Sequence, residues 1–275
     1  MSKEYIDLCK RVISDGEWVF NERTGKNCLT VIDASFEYDV SQGHLPALTT
    51  KKAYWKPAIN EILGYLRGYK NSSQFTEIGC NTWQANTNKN ESWLANPHRK
   101  GEGDMGMAYQ MREPNNDQLL KVYNNLREGI DDRGEVITFW KSDDFYRSCL
   151  RPCMHTHTFS ILNGTLYLTS YQRSDDIPLG HGFNQIQVAW FLMIMAQITG
   201  LKAGKAFHKI VNVHIYENQL DGIKEQITRE PYPAPILLIN PKIKTLNDLE
   251  TWVTTDDFEL IGYEHHPAIK YKFAV

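Results

Sequence analysis

The stretch His155–Arg173, HTHTFSILNGTLYLTSYQR, restricts the possible folds more than any other part of the chain. Two β-rich alternating runs flank Asn163-Gly164. That dipeptide is a strong hairpin signal, because a type I′ turn needs φ > 0 at both central residues. The pattern predicts an antiparallel hairpin in which His155 and His157 face the same side and Arg173 ends the partner strand. Residues 183–199 are then apolar nearly all round and are followed by Gly200, which fits a buried central helix with a glycine cap.

The other elements gather around these two. Tyr5, Leu8, Cys9, Val12 and Ile13 form a helical stripe, and Asn27–Val40 alternates as a strand. Ile59, Ile62, Leu63 and Leu66 predict a helix over 53–68, with Pro57 early and Gly68 at its end. Residues 86–103 are polar without period and read as a long loop. A short helix is expected over 117–127, strands over 135–140 and 205–215, and a helix over 217–228. A proline-rich turn follows, and FELIGYEHHPAIKYKFAV reads as two short strands. With no repeat and no Gly/Ser linker, residues 1–275 are expected to form a single domain. Its class is α+β, a mixed extended sheet packed against helices rather than regular βαβ winding.

The net charge of −3 gives no broad electrostatic footprint for nucleic acid or an anionic membrane. An anionic small molecule held by a few arginines remains compatible with it. Five cysteines, an odd number without C-x-x-C, favour a reducing compartment over a disulfide framework. The opening MSKEYIDLCKRV is not a signal peptide, and VAWFLMIMA (188–196) is too short to span a bilayer. A cytoplasmic protein is expected.

The segment LRPCMHTHTF (150–159) raises the question of chemistry. His155 and His157 offer two ligands from one strand, but no third stands at a motif spacing, so no metal is expected. Cys153 alone reads as a small buried hydrophobe, as free cysteines usually do, with a nucleophile as the other reading. The second reading needs a positive charge to favour the thiolate, and Arg173 is the candidate. The polar run YQRSDDIPLGHGFN (171–184) reads as a phosphate-holding site through Arg173 and Ser174, or as a solvated loop capping the next helix through Asn184.

Thirteen stretches carry a resemblance. They are NERTG (21–25), LTTKK (48–52), EILGYLRG (61–68), NTWQAN (81–86), GEGDMGMAY (101–109), DDRGE (131–135), LRPCM (150–154), YQRSDD (171–176), LGHGFN (179–184), AQITG (196–200), NVHIYENQ (212–219), REPYPAP (229–235) and the terminal FAV. In this order, across nearly the whole chain, they resemble the thymidylate synthase family, in its longer bacterial branch. The resemblance implies that family's fold, a homodimer joined through the sheet, and one-carbon transfer from 5,10-methylenetetrahydrofolate to C5 of dUMP. It implies Cys153 as nucleophile, with Glu61, Arg173, Trp83 and Tyr109 as the other catalytic residues. Arg23, Arg173 and Ser174 would hold the phosphate, joined by Arg133 from the second subunit. Asn184 would read the base, and His214 and Tyr216 would hold the sugar hydroxyl. Asp176 would bind the pterin, with Trp83, Gly180 and the terminal Val275 completing the folate site.

Several positions depart from the family pattern: Gly134, where many members have a further arginine, Gln84, Gln110, Asp175, His181 and Gly182. Most gather on the folate side. Polar Asp175 and His181 would admit water to the methylene intermediate, which would give 5-hydroxymethyl-dUMP instead of dTMP. Facing each other or solvent, they would not. A nucleotide-binding protein without catalysis is the alternative of another class.

Overall fold

The computed structural model describes residues 2–112 and 117–272. Nine α-helices and eight strands occur among them. In chain order they are α1 (Ser2–Asp15), β1 (Glu17–Asn21), β2 (Lys26–Asp39), α2 (Trp55–Leu66), α3 (Ser72–Glu77), α4 (Gln84–Asn88), α5 (Glu91–Leu94), α6 (Gln118–Arg127), β3 (Val136–Thr138), β4 (Met154–Leu162) and β5 (Thr165–Asp176). These are followed by α7 (Gly182–Thr199), β6 (Lys202–Tyr216), α8 (Leu220–Gln226), β7 (Ile236–Ile239), α9 (Leu246–Thr251) and β8 (Phe258–Ile261).

Six strands form one sheet in the order β1-β2-β6-β5-β4-β3, and β7 pairs with β8 separately. All neighbours are antiparallel except β5 and β6, which run parallel because α7 crosses between them. The α+β class and the mixed sheet are therefore as the sequence predicts. Buried along almost its whole length, α7 ends at Gly200 with φ 76°. On β2, Val31, Ala34 and Phe36 enter the core while Ile32, Asp33 and Ser35 do not. Asp33, at φ 64°, breaks the alternation so that two successive residues turn outward.

The predicted hairpin forms around Asn163 (φ 51°) and Gly164 (φ 73°), both left-handed as a type I′ turn demands. Its ladder starts at Leu162↔Thr165 but reaches Met154↔Gln172, with an irregularity between Met154 and Thr156. The extra residue is a β-bulge. It corrects the expectation for the histidines. His157 is fully buried between the rings of Phe139 and Phe191, whereas His155 packs on half-exposed Trp140.

Other expectations also change. The 86–103 segment holds the end of α4 and all of α5, where Asn90 caps the short helix by accepting from the Trp93 amide. The 217–228 helix is a 3₁₀ turn at Glu217–Gln219 followed by α8. Among the described residues only β8 of the two expected C-terminal strands forms, and 262–272 has no regular structure beyond a turn. Strands β1 and β7 and helices α3 and α9 are too short for a periodic signal.

Candidate active site

Cys153 immediately precedes β4, and the bulge decides what it meets. An unbroken ladder from Leu162↔Thr165 would set Cys153 opposite Ser174; one extra residue sets it against Arg173 instead. The Arg173 amide donates to the Cys153 carbonyl at 2.8 Å. The guanidinium is fixed by the same loop, with Nε donating to the Pro152 carbonyl and Nη2 to the Arg151 carbonyl, both at 3.0 Å. Nη2 then lies 3.8 Å from Cys153 Sγ.

Two adjoining cavities share Asn86 and Leu150. The inner one, about 490 Å³, is mainly apolar and contains Cys153, Glu61, Trp83, Tyr109, Asp176, Gly180 and Asn184. The outer one, about 810 Å³, is lined by Arg23, Arg173, Arg151 and Lys89 among others. Cations thus flank the mouth, and the sulfur lies on the adjoining, mainly apolar cavity. Burial pushes the Cys153 thiol up; Arg173 and Arg23 pull it down, against Asp175 and Asp176. The expectation that Arg173 favours the thiolate holds for its sign, but burial outweighs it in the free protein.

Glu61 stands in the middle of α2 with Ile59, Ile62 and Leu63 fully in the core around it. Thr82 Oγ1 donates to one of its oxygens and Gln187 Nε2 to the other at 2.7 Å. Burial still raises its carboxyl, so the acid form persists to higher pH. Tyr109 stacks on Tyr65 at 4.8 Å, and its hydroxyl accepts from the Cys153 amide at 2.6 Å. Trp83 closes the same aromatic wall, 5.5 Å from Tyr109.

The strand β5 leads into a single π-turn, Ile177–His181, that runs on into α7. Single π-turns interrupt regular helix where a site is built. Asp176 at the end of β5 and Leu179 and Gly180 on the turn line the inner cavity. Burial raises Asp176 to about 7, opposed by the hydrogen bond from Gln219. Asn184 is not a helix cap, since α7 starts at Gly182. Its Oδ1 accepts from Gln172 Nε2 at 3.2 Å and its Nδ2 donates to Gln187 Oε1 at 3.1 Å.

The family departures behave differently from the water-admitting expectation. His181 Nδ1 and Asp175 Oδ2 are 2.7 Å apart, both side chains fully buried, and neither lines the inner cavity. They face each other. Gln84 donates to Thr76 Oγ1 and Gln110 to the Gly106 carbonyl, and neither reaches that cavity.

The strand ends complete the neighbourhood. His214 pairs with Asp176 in the ladder, and its ring packs 5.2 Å from Tyr216. Arg23, in the β1–β2 turn, lowers both the His214 and Tyr216 ionisations by its charge, although burial dominates each shift and raises the Tyr216 phenol. Ser174 pairs with Asn212 beside them. Arg133 is exposed at φ 66° in the loop before β3 and lines neither cavity of this chain. Val275 lies outside the described residues. Among the described residues no group of three or more His, Cys, Asp or Glu is placed to hold a metal, and no helix is long and apolar enough to cross a membrane.

Sequence reasoning missed Gln172, Gln187, Tyr65 and Thr82. Gln187 carried a usable signal, a polar residue inside the most apolar helix of the chain.

Comparison with known proteins agrees with this geometry. The thymidylate synthase family model matches residues 3–275. Proteins named thymidylate synthase from Haemophilus influenzae (strain PittGG) and Pasteurella multocida (strain Pm70) are each 61% identical over 282 residues, covering 99% of this chain and all of theirs. One from Pseudoalteromonas translucida (strain TAC 125) is 59% identical over the same span. With a cysteine set beside an arginine at the mouth of an apolar cavity, and a match of this length, the chain belongs to the thymidylate synthase family.

Proposed function

We propose that this protein methylates dUMP at C5 with 5,10-methylenetetrahydrofolate, giving dTMP and dihydrofolate. The observation that carries the reading is Cys153 Sγ at 3.8 Å from Arg173 Nη2, where the cationic mouth meets the apolar cavity. Uracil C5 is a poor nucleophile. A Cys153 thiolate adding at C6 makes C5 an enolate carbon, which attacks the one-carbon unit and divides one hard step into easier ones.

The remaining residues fit roles around that adduct. Arg23 and Arg173 hold the phosphate with Ser174, and the outer cavity gives them room. Asn184 presents an amide oxygen to uracil N3–H and an amide nitrogen to O4. Glu61, whose carboxyl burial shifts upward, supplies a proton on the carbonyl side. His214 and Tyr216 hold the sugar hydroxyl, and Tyr109 positions the cysteine loop. Trp83, Asp176 and Gly180 receive the folate, with Val275 closing over it. Loss of the C5 proton and departure of tetrahydrofolate leave an exocyclic methylene, and hydride from that tetrahydrofolate reduces it in a dry site as the Cys153 thiolate leaves C6 and dihydrofolate forms. The mutual pairing of Asp175 and His181 supports this outcome, because it keeps both away from the cavity.

The reading is tested by incubating the protein with both substrates. Absorbance should rise at the dihydrofolate band as dTMP forms. Recovery of tetrahydrofolate with 5-hydroxymethyl-dUMP would overturn it.

Asp176 gives the reading a pH dependence. Its carboxylate accepts a pterin N–H more strongly when ionised, and its carboxyl lies at about 7. Apparent folate affinity is expected to rise between about pH 6 and 8 and to stay flat in Asp176→Asn. The sign for stability is opposite. The folded carboxyl is raised above its ordinary 3.8, so the stabilisation is complete below that value and is lost as pH rises through about 7. Titration of folate binding alongside thermal melting reads both.

The reading includes one folding unit over residues 1–275, a cytoplasmic location and a homodimer. The helix-free face of the sheet exposes Ile32, Tyr171 and Val211, apolar groups that a second copy would cover. Arg133, absent from its own cleft, would reach the partner's phosphate site. Mixing inactive Arg133→Ala and Cys153→Ser proteins after subunit exchange should therefore restore activity. No recovery, with exchange verified, would place Arg133 outside the site.

A further inference from the structure

Five hydrogen bonds run in one direction through the interior, from Tyr38 on β2 to Glu61 on α2. The Tyr38 hydroxyl lies 3.4 Å from His208 Nδ1, and His208 Nε2 lies 2.7 Å from Gln172 Oε1. Gln172 Nε2 donates to Asn184 Oδ1 at 3.2 Å, and Asn184 Nδ2 to Gln187 Oε1 at 3.1 Å. Gln187 Nε2 donates to Glu61 Oε2 at 2.7 Å. Tyr38, His208, Gln172 and Gln187 are all buried, so none can exchange its partner for water.

The two ends fix the sense of the chain. A neutral imidazole has one N–H. Placed against the Gln172 carbonyl oxygen, His208 Nε2 must be the donor, and Nδ1 then accepts from Tyr38. Burial, with His181 and His157 nearby, pushes the His208 ionisation well below its ordinary value, so the ring stays neutral. At the other end Gln187 Nε2 also donates to the Ala58 carbonyl at 3.3 Å, which can only accept, so the NH₂ faces Glu61 whatever that carboxyl's charge. Between these ends Gln172 also donates to the Ser174 carbonyl at 2.9 Å, which holds its amide the same way round. Turning Asn184 over would set NH₂ against NH₂ at Gln172 and carbonyl against carbonyl at Gln187, two buried mismatches.

We propose that His208 and Gln187 are specificity-positioning residues, which lock the Asn184 amide in the one orientation that accepts uracil and rejects cytosine. This rests on Asn184 reading the base, as argued above. The free lone pair of Oδ1 takes uracil N3–H, and the second Nδ2 hydrogen takes O4. Cytosine presents an acceptor at N3 and a donor at N4, and would need the amide reversed. Rejection therefore comes from the cost of reversing the whole chain, not from contacts to the base alone.

The test is the ratio of dissociation constants for dCMP and dUMP, measured by calorimetry on the folded protein. His208→Phe keeps a ring beside Tyr38 and His181 but removes the donor. Its dCMP-to-dUMP ratio is expected to fall roughly tenfold, because Gln172 Oε1 loses its donor and only the Ser174 carbonyl then resists reversal of that amide. His208→Gln keeps an N–H for Gln172 and should hold the ratio near that of the parent. A merely structural role would weaken both nucleotides in parallel, so a ratio within about twofold of the parent overturns the lock. If His208→Phe does not fold, Gln187→Leu cuts the chain from the Glu61 side and reads the same ratio. A parent protein that binds neither nucleotide overturns the functional reading itself, whereas one that binds dUMP with an unmoved ratio in the variants overturns only the lock.

Discussion

Cys153→Ser is expected to lower turnover by a factor on the order of 10⁴ or more while leaving dUMP binding within severalfold of the parent. The proposed phosphate contacts and base-reading amide use other side chains, so affinity should survive the loss of the sulfur. The substitution is nearly isosteric at a partly exposed position, so stability should change by less than about 1 kcal/mol. Mass spectrometry checks the chemistry directly. The parent with 5-fluoro-dUMP and the folate should carry a covalent adduct on Cys153, and the serine protein none. An adduct on another residue, or full activity in Cys153→Ser, would remove the basis of the proposed reaction. The remaining cysteines are poor substitutes. Cys9, Cys80 and Cys149 are buried, with thiols pushed up to about 12.

The second large effect concerns stability. Asp175 and His181 form a fully buried pair, and His181 is boxed by Phe36 at 4.3 Å and the stacked ring of His208 at 5.8 Å. Removing one partner strands the other in the core, which costs roughly 3–5 kcal/mol. For a chain of this length that corresponds to a fall in melting temperature of roughly 6–20 °C for Asp175→Ala or His181→Ala. Replacing both with leucine should recover most of the loss, since an apolar pair of similar bulk carries no desolvation cost. Melting curves of the single and double variants decide it. Single variants that melt with the parent would mean the pair contributes nothing.

Much of this architecture could be read before any coordinates. The Asn163-Gly164 hairpin, the apolar run of α7 and the i, i+3, i+4, i+7 pattern of α2 announce themselves, because each has a period longer than its ends can blur. Short pieces such as β1, β7 and α9 hold too few residues for a period to emerge. The cysteine–arginine encounter was foreseen through the hairpin, but for an incomplete reason. Alternation alone points to Ser174, and a bulge leaves no mark in a sequence that reads as an ordinary strand. The roles of Asn184 and Asp176 came from resemblance, since neither has a local pattern. The Asp175–His181 contact was one of two alternatives the sequence left open, because choosing between them depends on which way two side chains turn inside the core.

The hairpin turn stands about ten residues from the sulfur, roughly 30 Å along an extended strand. Even so, it acts as the far end of a lever on the chemistry. One residue added or lost there would slide every rung, and Cys153 would meet a neighbour with no charge to offer. Loop tips normally tolerate insertions; this one should behave instead like part of the reaction centre, silent in binding assays on the surface around it and decisive for whether a bond to the pyrimidine ever forms.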